Sequence, residues 1–205
     1  MKVSLNIKGI DGLKLLKAKI DKYPTIAAQV GVEAINDVAE TVITRATTDI
    51  SSRYNLQAAY VREKFRIQRA SGIGGTAVVA ARKRGVRLAR YDAAQLTKAA
   101  PRAKGDQRRG ISAGNKQAGV SVQVLRAGSR KAMQRAFMIP LRAGTNDGGN
   151  GMGVFIRDEF GNVKHLYGRS PDQAYRSWLK EREDDINALL VQTFSKRLTA
   201  AIRKA

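Results

Sequence analysis

The chain has 205 residues, 43% of them hydrophobic, and carries 38 Lys and Arg against 17 Asp and Glu, a formal charge of +21. That apolar content is enough for a core of one domain's size and excludes a disordered polyelectrolyte, while the absence of cysteine excludes disulfides, thiolate metal centres and cysteine nucleophiles. The excess of cations calls for counter-charge from nucleic acid, acidic protein or anionic lipid, above all in any homo-oligomer.

Val3, Leu5 and Ile7 alternate with Lys2, Ser4, Asn6 and Lys8, which predicts a half-buried strand stopped by Gly9. The alternation takes the place of a secretory apolar block, and no run reaches the ~18 to 20 apolar residues of a membrane span. A soluble protein made and used inside the cell, with no membrane partner, is expected. Asp11 is placed to cap a short helix carrying Leu13, Leu16 and Ile20, which ends before Pro24 because the residue preceding a proline avoids the helical region. A longer helix is predicted from Thr25 to about Ser51. Its apolar face is Ile35, Val38, Val42, Ala46 and Ile50 with Ala39 and Ile43 beside them.

Ala58, Ala59 and Val61 favour a short helix, and Phe65 and Ile67 then alternate like a strand. Ser71–Gly75 breaks the pattern, and Thr76–Ala81 predicts another strand. From Arg82 to Lys116 follow eleven cations: Arg82, Lys83, Arg84, Arg87, Arg90, Lys98, Arg102, Lys104, Arg108, Arg109 and Lys116. Only Asp92 and Asp106 oppose them, and Gly85, Pro101, Gly105, Gly110 and Gly114 interrupt any period, so a basic arm or excursion is expected at about 82–116.

Val120, Val122 and Val124 alternate with polar residues, and Ala136–Leu141 reads as a strand that lies at an edge or ends at Pro140, which has no N–H for a ladder. Ala143–Gly153 is a glycine-rich loop, and the segment from Gly153 to Gly168 predicts a hairpin turning near Phe160, Gly161 and Asn162. Ser170, Pro171 and Gln173 then supply an N-cap, a first-turn proline and a capping-box partner. Ile186, Leu189, Leu190, Phe194, Leu198 and Ile202 mark the buried face of a C-terminal helix, with Lys196, Arg197, Arg203 and Lys204 crowding its end. The expected class is α+β, one domain over residues 1–205. An antiparallel sheet packs with a long helix of the N-terminal half and a long C-terminal helix, with the basic excursion extending from them.

Catalytic signals are weak. His165 is the only histidine and has no orienting partner near it in sequence, which favours a surface or packing role. Glu181, Glu183, Asp184 and Asp185 form the one acidic cluster, but adjacent helical positions diverge in direction, so an acidic first turn or ion-pair surface outweighs acid/base or metal chemistry. The loop Gly144–Gly153 lacks the GK[ST] of a P-loop and the spaced acids of an EF-hand. No catalytic residue, metal ligand or cofactor is therefore expected.

The cations of the basic stretch have three open roles: neutralising nucleic-acid phosphates, docking on acidic protein, or standing as a solvated loop. Tyr91 is the one aromatic inside the run, too few for single-strand base stacking.

The segments AFMIPLRAG, GVFIRDEFGNVKHLYGRSPDQ and YRSWLKEREDDINALLVQTFSKRLTAAIRKA resemble the minor tail protein Z family of tailed phages and prophages. That resemblance implies a structural virion protein, not an enzyme. It would act late in tail assembly at the head-proximal end and make tails competent to join heads and pass DNA. It also implies a homo-oligomeric ring of six copies, built on one repeated head-to-tail interface. Its neighbours would be the tail terminator, tail tube or head-completion proteins, with double-stranded DNA or the tape-measure protein in the lumen. The location is the virion tail or neck, after assembly in the host cytoplasm. On that reading Arg82, Lys83, Arg84, Arg87, Arg90, Arg102, Lys104, Arg108 and Arg109 bind a partner or DNA, and docking on acidic protein is preferred for Arg82–Arg90. Glu181, Glu183, Asp184 and Asp185 become partners for an adjacent subunit's arginines. The alternative is a free basic nucleic-acid-binding protein of nucleoid or ribosomal type.

Overall fold

A computed structural model describes residues 10–142 and 151–204, with side chains from Leu16 onward. The predicted strand over Val3–Ile7 and most of the glycine-rich stretch 143–153 lie outside the described residues. The chain is a mixture of helices and antiparallel strands, an α+β protein, and it divides into two compact units. One unit is drawn from residues up to Thr47, from Arg62–Arg82 and from Tyr175 onward; the other comprises Thr48–Val61 and Lys83–Ala174.

The first unit is built on helices. Helix α1 (Ile10–Lys22) begins one residue before Asp11, which therefore lies in its first turn and not at its cap, and it stops where Pro24 requires. Helix α2 (Pro24–Arg53) opens on that proline, whose missing N–H would have no intrahelical partner there. Its buried apolar residues in this unit, Ala27, Val30, Ala34, Val38, Ala39, Val42, Ile43 and Ala46, recur at helical spacing. Leu16, Ala27 and Val30 pack against fully buried Leu198 of α5 (Glu183–Ile202), with Phe194 and Ile202 beside them. Burying a leucine of this kind contributes about 1.5 to 3 kcal/mol. Arg197 on the same helix forms ion pairs with Glu33, at 2.5 Å, and with Asp37 of α2.

After the short helix α3 (Ala58–Glu63), strands β1 (Phe65–Gln68) and β2 (Val78–Ala81) pair antiparallel, Phe65 opposite Ala81 and Gln68 opposite Val78. The Asn36 side chain accepts from the Ala70 N–H at 2.8 Å and donates to the Ala70 carbonyl at 3.1 Å, so one amide satisfies both backbone groups as the chain leaves β1. Ala70 and Ala77, on either side of the glycine turn, pack on Ala39. Tyr175 of α4 (Pro171–Glu181) meets Phe65 edge to face at 5.2 Å and stacks with Trp178.

The C-terminal helical run is broken at Arg182, whose φ of −124° and ψ of 11° leave the helical region, and α5 restarts on Glu183, Asp184 and Asp185. Three carboxylates in a first turn match the positive end of the helix dipole, which is why the restart falls there. Arg203 is the C-cap residue of α5, so the expected cations flank the helix end while Arg197 is committed to α2.

The second unit holds most of the strands. Strands β3 (Ala94–Ala99), β4 (Asn115–Val122) and β5 (Lys131–Met133) form one three-stranded antiparallel sheet, and β6 (Ala136–Pro140), β7 (Met152–Arg157) and β8 (Val163–His165) form another. The expected antiparallel pairing is present, but among the described residues the strands are shared between three small sheets. Alternation identifies strand faces and says nothing of which strand pairs with which. Strand β6 is an edge strand and ends at Pro140. The β7–β8 turn falls where expected, with the Asp158 carboxylate accepting from the backbone N–H groups of Phe160 and Asn162.

The stretch expected as an arm or excursion carries buried residues, Val86, Ala89, Tyr91 and Ile111, and the strand β3. Tyr91 is 1% exposed and its hydroxyl donates to the Arg169 carbonyl at 3.1 Å. The ring fits because Gly168 has no side chain: a Cβ there would stand 2.6 Å from a Tyr91 ring carbon. At the start of α4, Gln173 N–H donates to Ser170 Oγ and Ser170 N–H to Gln173 Oε1, both at 3.1 Å, which is the predicted capping box closed in both directions.

Candidate functional site

The tertiary structure sorts the cations of the basic stretch into two groups. The first comprises Lys83, Arg84, Arg87 and Arg90, before and within the 3-10 turn Leu88–Arg90, with Arg82 preceding them in sequence. Arg82 follows β2 in the helical unit, whereas Lys83, Arg84, Arg87 and Arg90 belong to the second unit. Arg82, Lys83 and Arg84 are exposed; Arg87 and Arg90 are half-buried. Backbone bonds from Leu88 N–H to the Leu166 carbonyl and from Gly168 N–H to the Val86 carbonyl hold this stretch beside residues 166–168. Arg84 stands 5.8 Å from the Tyr167 ring centroid and donates to its hydroxyl at 3.4 Å, and Arg90 lies 3.9 Å over the Tyr60 ring. Guanidinium stacking of this kind contributes about 0.5 to 2 kcal/mol and fixes the direction of the charge.

His165 belongs to this first group. Register places Phe137 of β6, Phe155 of β7 and His165 of β8 opposite one another, and their rings stack in a row, 6.2 Å and 4.4 Å between centroids. Gly153 on the same face makes room: a Cβ would lie 2.6 Å from Phe155 and 2.9 Å from His165 Nε2. His165 Nδ1 and the Tyr167 hydroxyl are 3.2 Å apart. Burial first, then Arg87 and Arg84, hold the imidazole pKa below its ordinary 6.5. The neutral form is thus favoured in the folded protein, and the stability it contributes is present above the ordinary value and lost as pH falls through the folded pKa. Replacing Arg87 by glutamine is expected to move the His165 titration upward in an NMR pH series on the single imidazole. An unmoved or lowered value contradicts the assignment of Arg87 as a cause.

The second group lies on and beyond the β3–β4 ribbon. Lys98 and Lys116 are register partners, directly opposite on one face. The connection between the strands carries Arg102, Lys104, Arg108 and Arg109. Asp106 caps the 3-10 turn Gln107–Arg109 and pairs with Arg109 at 3.2 Å. Lys98, Arg102, Lys104, Arg108 and Lys116 are exposed, and none has a side-chain partner among the described residues. Lys98 and Lys116 were legible as charges in the sequence; their juxtaposition needed the register.

Glu181, Glu183, Asp184 and Asp185 are exposed around the break between α4 and α5, and Arg182 pairs with Asp185 at 3.3 Å. Among the described residues no group of three or more His, Asp and Glu is placed to hold a metal ion, and no helix is long and apolar enough to cross a membrane.

An α+β chain whose distinctive surface is positive charge, with most of the described acids at helix ends or in ion pairs, has the character of a protein that assembles with other macromolecules. The comparison with known families makes this a structural protein of phage tails. The chain belongs to the prophage minor tail protein Z family, whose model matches residues 7–150, well over half of the sequence and both groups of cations. Of the segments that carried the resemblance in the sequence, AFMIPLRAG falls inside this range; the β7–β8 hairpin and helices α4 and α5 follow it. No curated protein and no solved structure matches the chain. Family membership makes the virion its location and other virion proteins its neighbours.

Proposed function

We propose that this tail protein completes the tail at its head-proximal end, makes it competent to join a filled head, and lines or borders the passage taken by DNA. The observation that carries the reading is the family match across residues 7–150. A ring of six copies, contacting the tail terminator, tail tube or head-completion proteins, follows from the symmetry of such tails, with one head-to-tail interface repeated around the axis. The chain 1–205 acts in this ring as one domain, assembled in the host cytoplasm and without enzymatic activity.

Arg82, Lys83, Arg84, Arg87 and Arg90 dock on acidic protein. Two aromatic rings hold Arg84 and Arg90 in place, which supports docking because a charge already ordered loses less side-chain freedom on contact. Glu181, Glu183, Asp184 and Asp185 meet arginines of an adjacent copy. Exposed pairs contribute about 0 to 1 kcal/mol each, so they set register more than affinity.

Disrupting the gene and examining the lysate tests this reading. The expected result is filled heads and full-length tails that remain separate, with the wild-type chain found by mass spectrometry in purified finished particles. Its absence from those particles overturns the proposal and favours the free nucleic-acid-binding alternative.

A further inference from the structure

We infer that the β3–β4 ribbon is a binding element for the phosphate backbone of duplex DNA, with Lys98 and Lys116 at its centre. Like charges directly opposite on an antiparallel pair destabilise it. Here two exposed lysines occupy such a pair with no acid beside them among the described residues. From Ala94 to Gly119 the ribbon and its connection hold six cations and one acid, and that acid, Asp106, is committed to Arg109 and to the turn it caps. Five cations are left over: Lys98, Arg102, Lys104, Arg108 and Lys116. An anion bridging Lys98 and Lys116 converts their repulsion into binding.

The ribbon's surface selects the kind of anion. A protein interface needs large apolar or aromatic anchors at its centre. The exposed large hydrophobics among the described residues are Ile73, Leu125, Phe160, Val163 and Tyr167, and none lies on the ribbon. Apart from Gln107 its exposed positions are small or cationic, with Ala99 and Pro101 between Lys98 and Arg102. No aromatic residue occurs from Ala94 to Gly119, which removes the stacking platform that single strands use. A duplex needs neither: it offers one charge per ~1.7 Å of axis, so cations spread along a ribbon find phosphates in any register and at any sequence. Such binding is weak at physiological salt, about 10⁻⁴ to 10⁻⁶ M, which suits DNA that must move past.

The inference rests on the reading of a tail protein that meets DNA, and the two fail differently: the tail reading fails by absence from particles, the ribbon by its salt dependence. The test uses the purified full chain and a labelled 30-base-pair duplex, followed by anisotropy from low to moderate salt. The expected slope of log affinity against log salt lies between about −4 and −5 for the five free cations. K98Q/K116Q is expected to make the slope shallower by about 2 and to weaken binding at 100 mM salt by roughly 30- to 100-fold. K17Q/R66Q, which removes the same charge from exposed positions of the helical unit, should leave the slope unchanged. K98E, which puts a carboxylate opposite Lys116, is expected to lose DNA affinity without lowering the melting temperature, separating binding from folding. The inference is overturned if K98Q/K116Q matches wild type, or if K17Q/R66Q loses as much. It is equally overturned if polyglutamate or a single strand of equal length competes as well as the duplex.

Discussion

Gly119→Ala is expected to lower the stability of the second unit by about 3 kcal/mol or more. Gly119 has φ +121°, and a Cβ built on it would stand 2.6 Å from the Met133 carbonyl oxygen and 2.9 Å from Gln134 Cα. Both are backbone atoms, one in the neighbouring strand β5 and one just after it, and cannot rotate away. Holding a non-glycine residue in such a region costs about 1 to 3 kcal/mol, and the forced backbone shift adds about 1 to 3 more. Gly119 also pairs with Leu96 where the β3–β4 register shifts, and its carbonyl accepts from Gln95 Nε2 at 2.6 Å. The register decides which face Lys98 and Lys116 share, because a slip of one residue sends every side chain to the other face.

Thermal melting provides the check, at roughly 2 to 4 °C per kcal/mol for a chain of this length. A fall of about 6 °C or more is expected for Gly119→Ala. Gly110→Ala is the control: its φ is +70°, but nothing lies within 4 Å of a Cβ there, so only the conformational cost of about 1 kcal/mol remains. Equal melting temperatures for the two variants would show that the bulge does not constrain the sheet.

Charge reversal in the first group of cations is expected to have the largest effect on assembly. In R82E/R84E/R87E each copy loses three positive charges and gains three negative ones opposite the proposed acidic neighbour. Like charges brought together at an interface cost several kcal/mol, and every 1.4 kcal/mol is a tenfold change in association. Complementing a disrupted gene with this variant is expected to lower infectious titre by at least about 100-fold, with unjoined heads and tails in the lysate. R82Q/R84Q/R87Q removes attraction without adding repulsion and should fall between that variant and wild type. Wild-type titre from R82E/R84E/R87E, with the protein folded by circular dichroism, would show that these cations take no part in joining. This outcome is independent of the ribbon, whose charges are untouched.

The elements were legible where local rules act alone. Pro24 divides α1 from α2, Ser170 and Gln173 close the cap of α4, Pro140 ends β6, and the turn at Asp158–Asn162 falls between two runs of alternating residues. The break at Arg182 was carried by the same sequence, in the acids of Glu183–Asp185, but a continuous apolar stripe masked it. The order within the basic stretch comes from distant residues. Tyr91 is held by Arg169 and Gly168, and residues 86–88 by residues 166–168. No window around Arg82–Arg90 contains those partners.

The candidate site divides in the same way. Its charges, the scarcity of aromatics within it and the absence of cysteine are properties of composition, so the sequence by itself determined the large excess of positive charge and the lack of thiols. Many helix and strand positions followed too, because capping, proline geometry and side-chain alternation are settled within a few residues. Only the tertiary structure decided that Arg84 and Arg90 rest on Tyr167 and Tyr60 while Lys98 faces Lys116. Strand partners and ring contacts join residues far apart in the chain, and the energy that selects them resides in the register and packing that form when those segments meet.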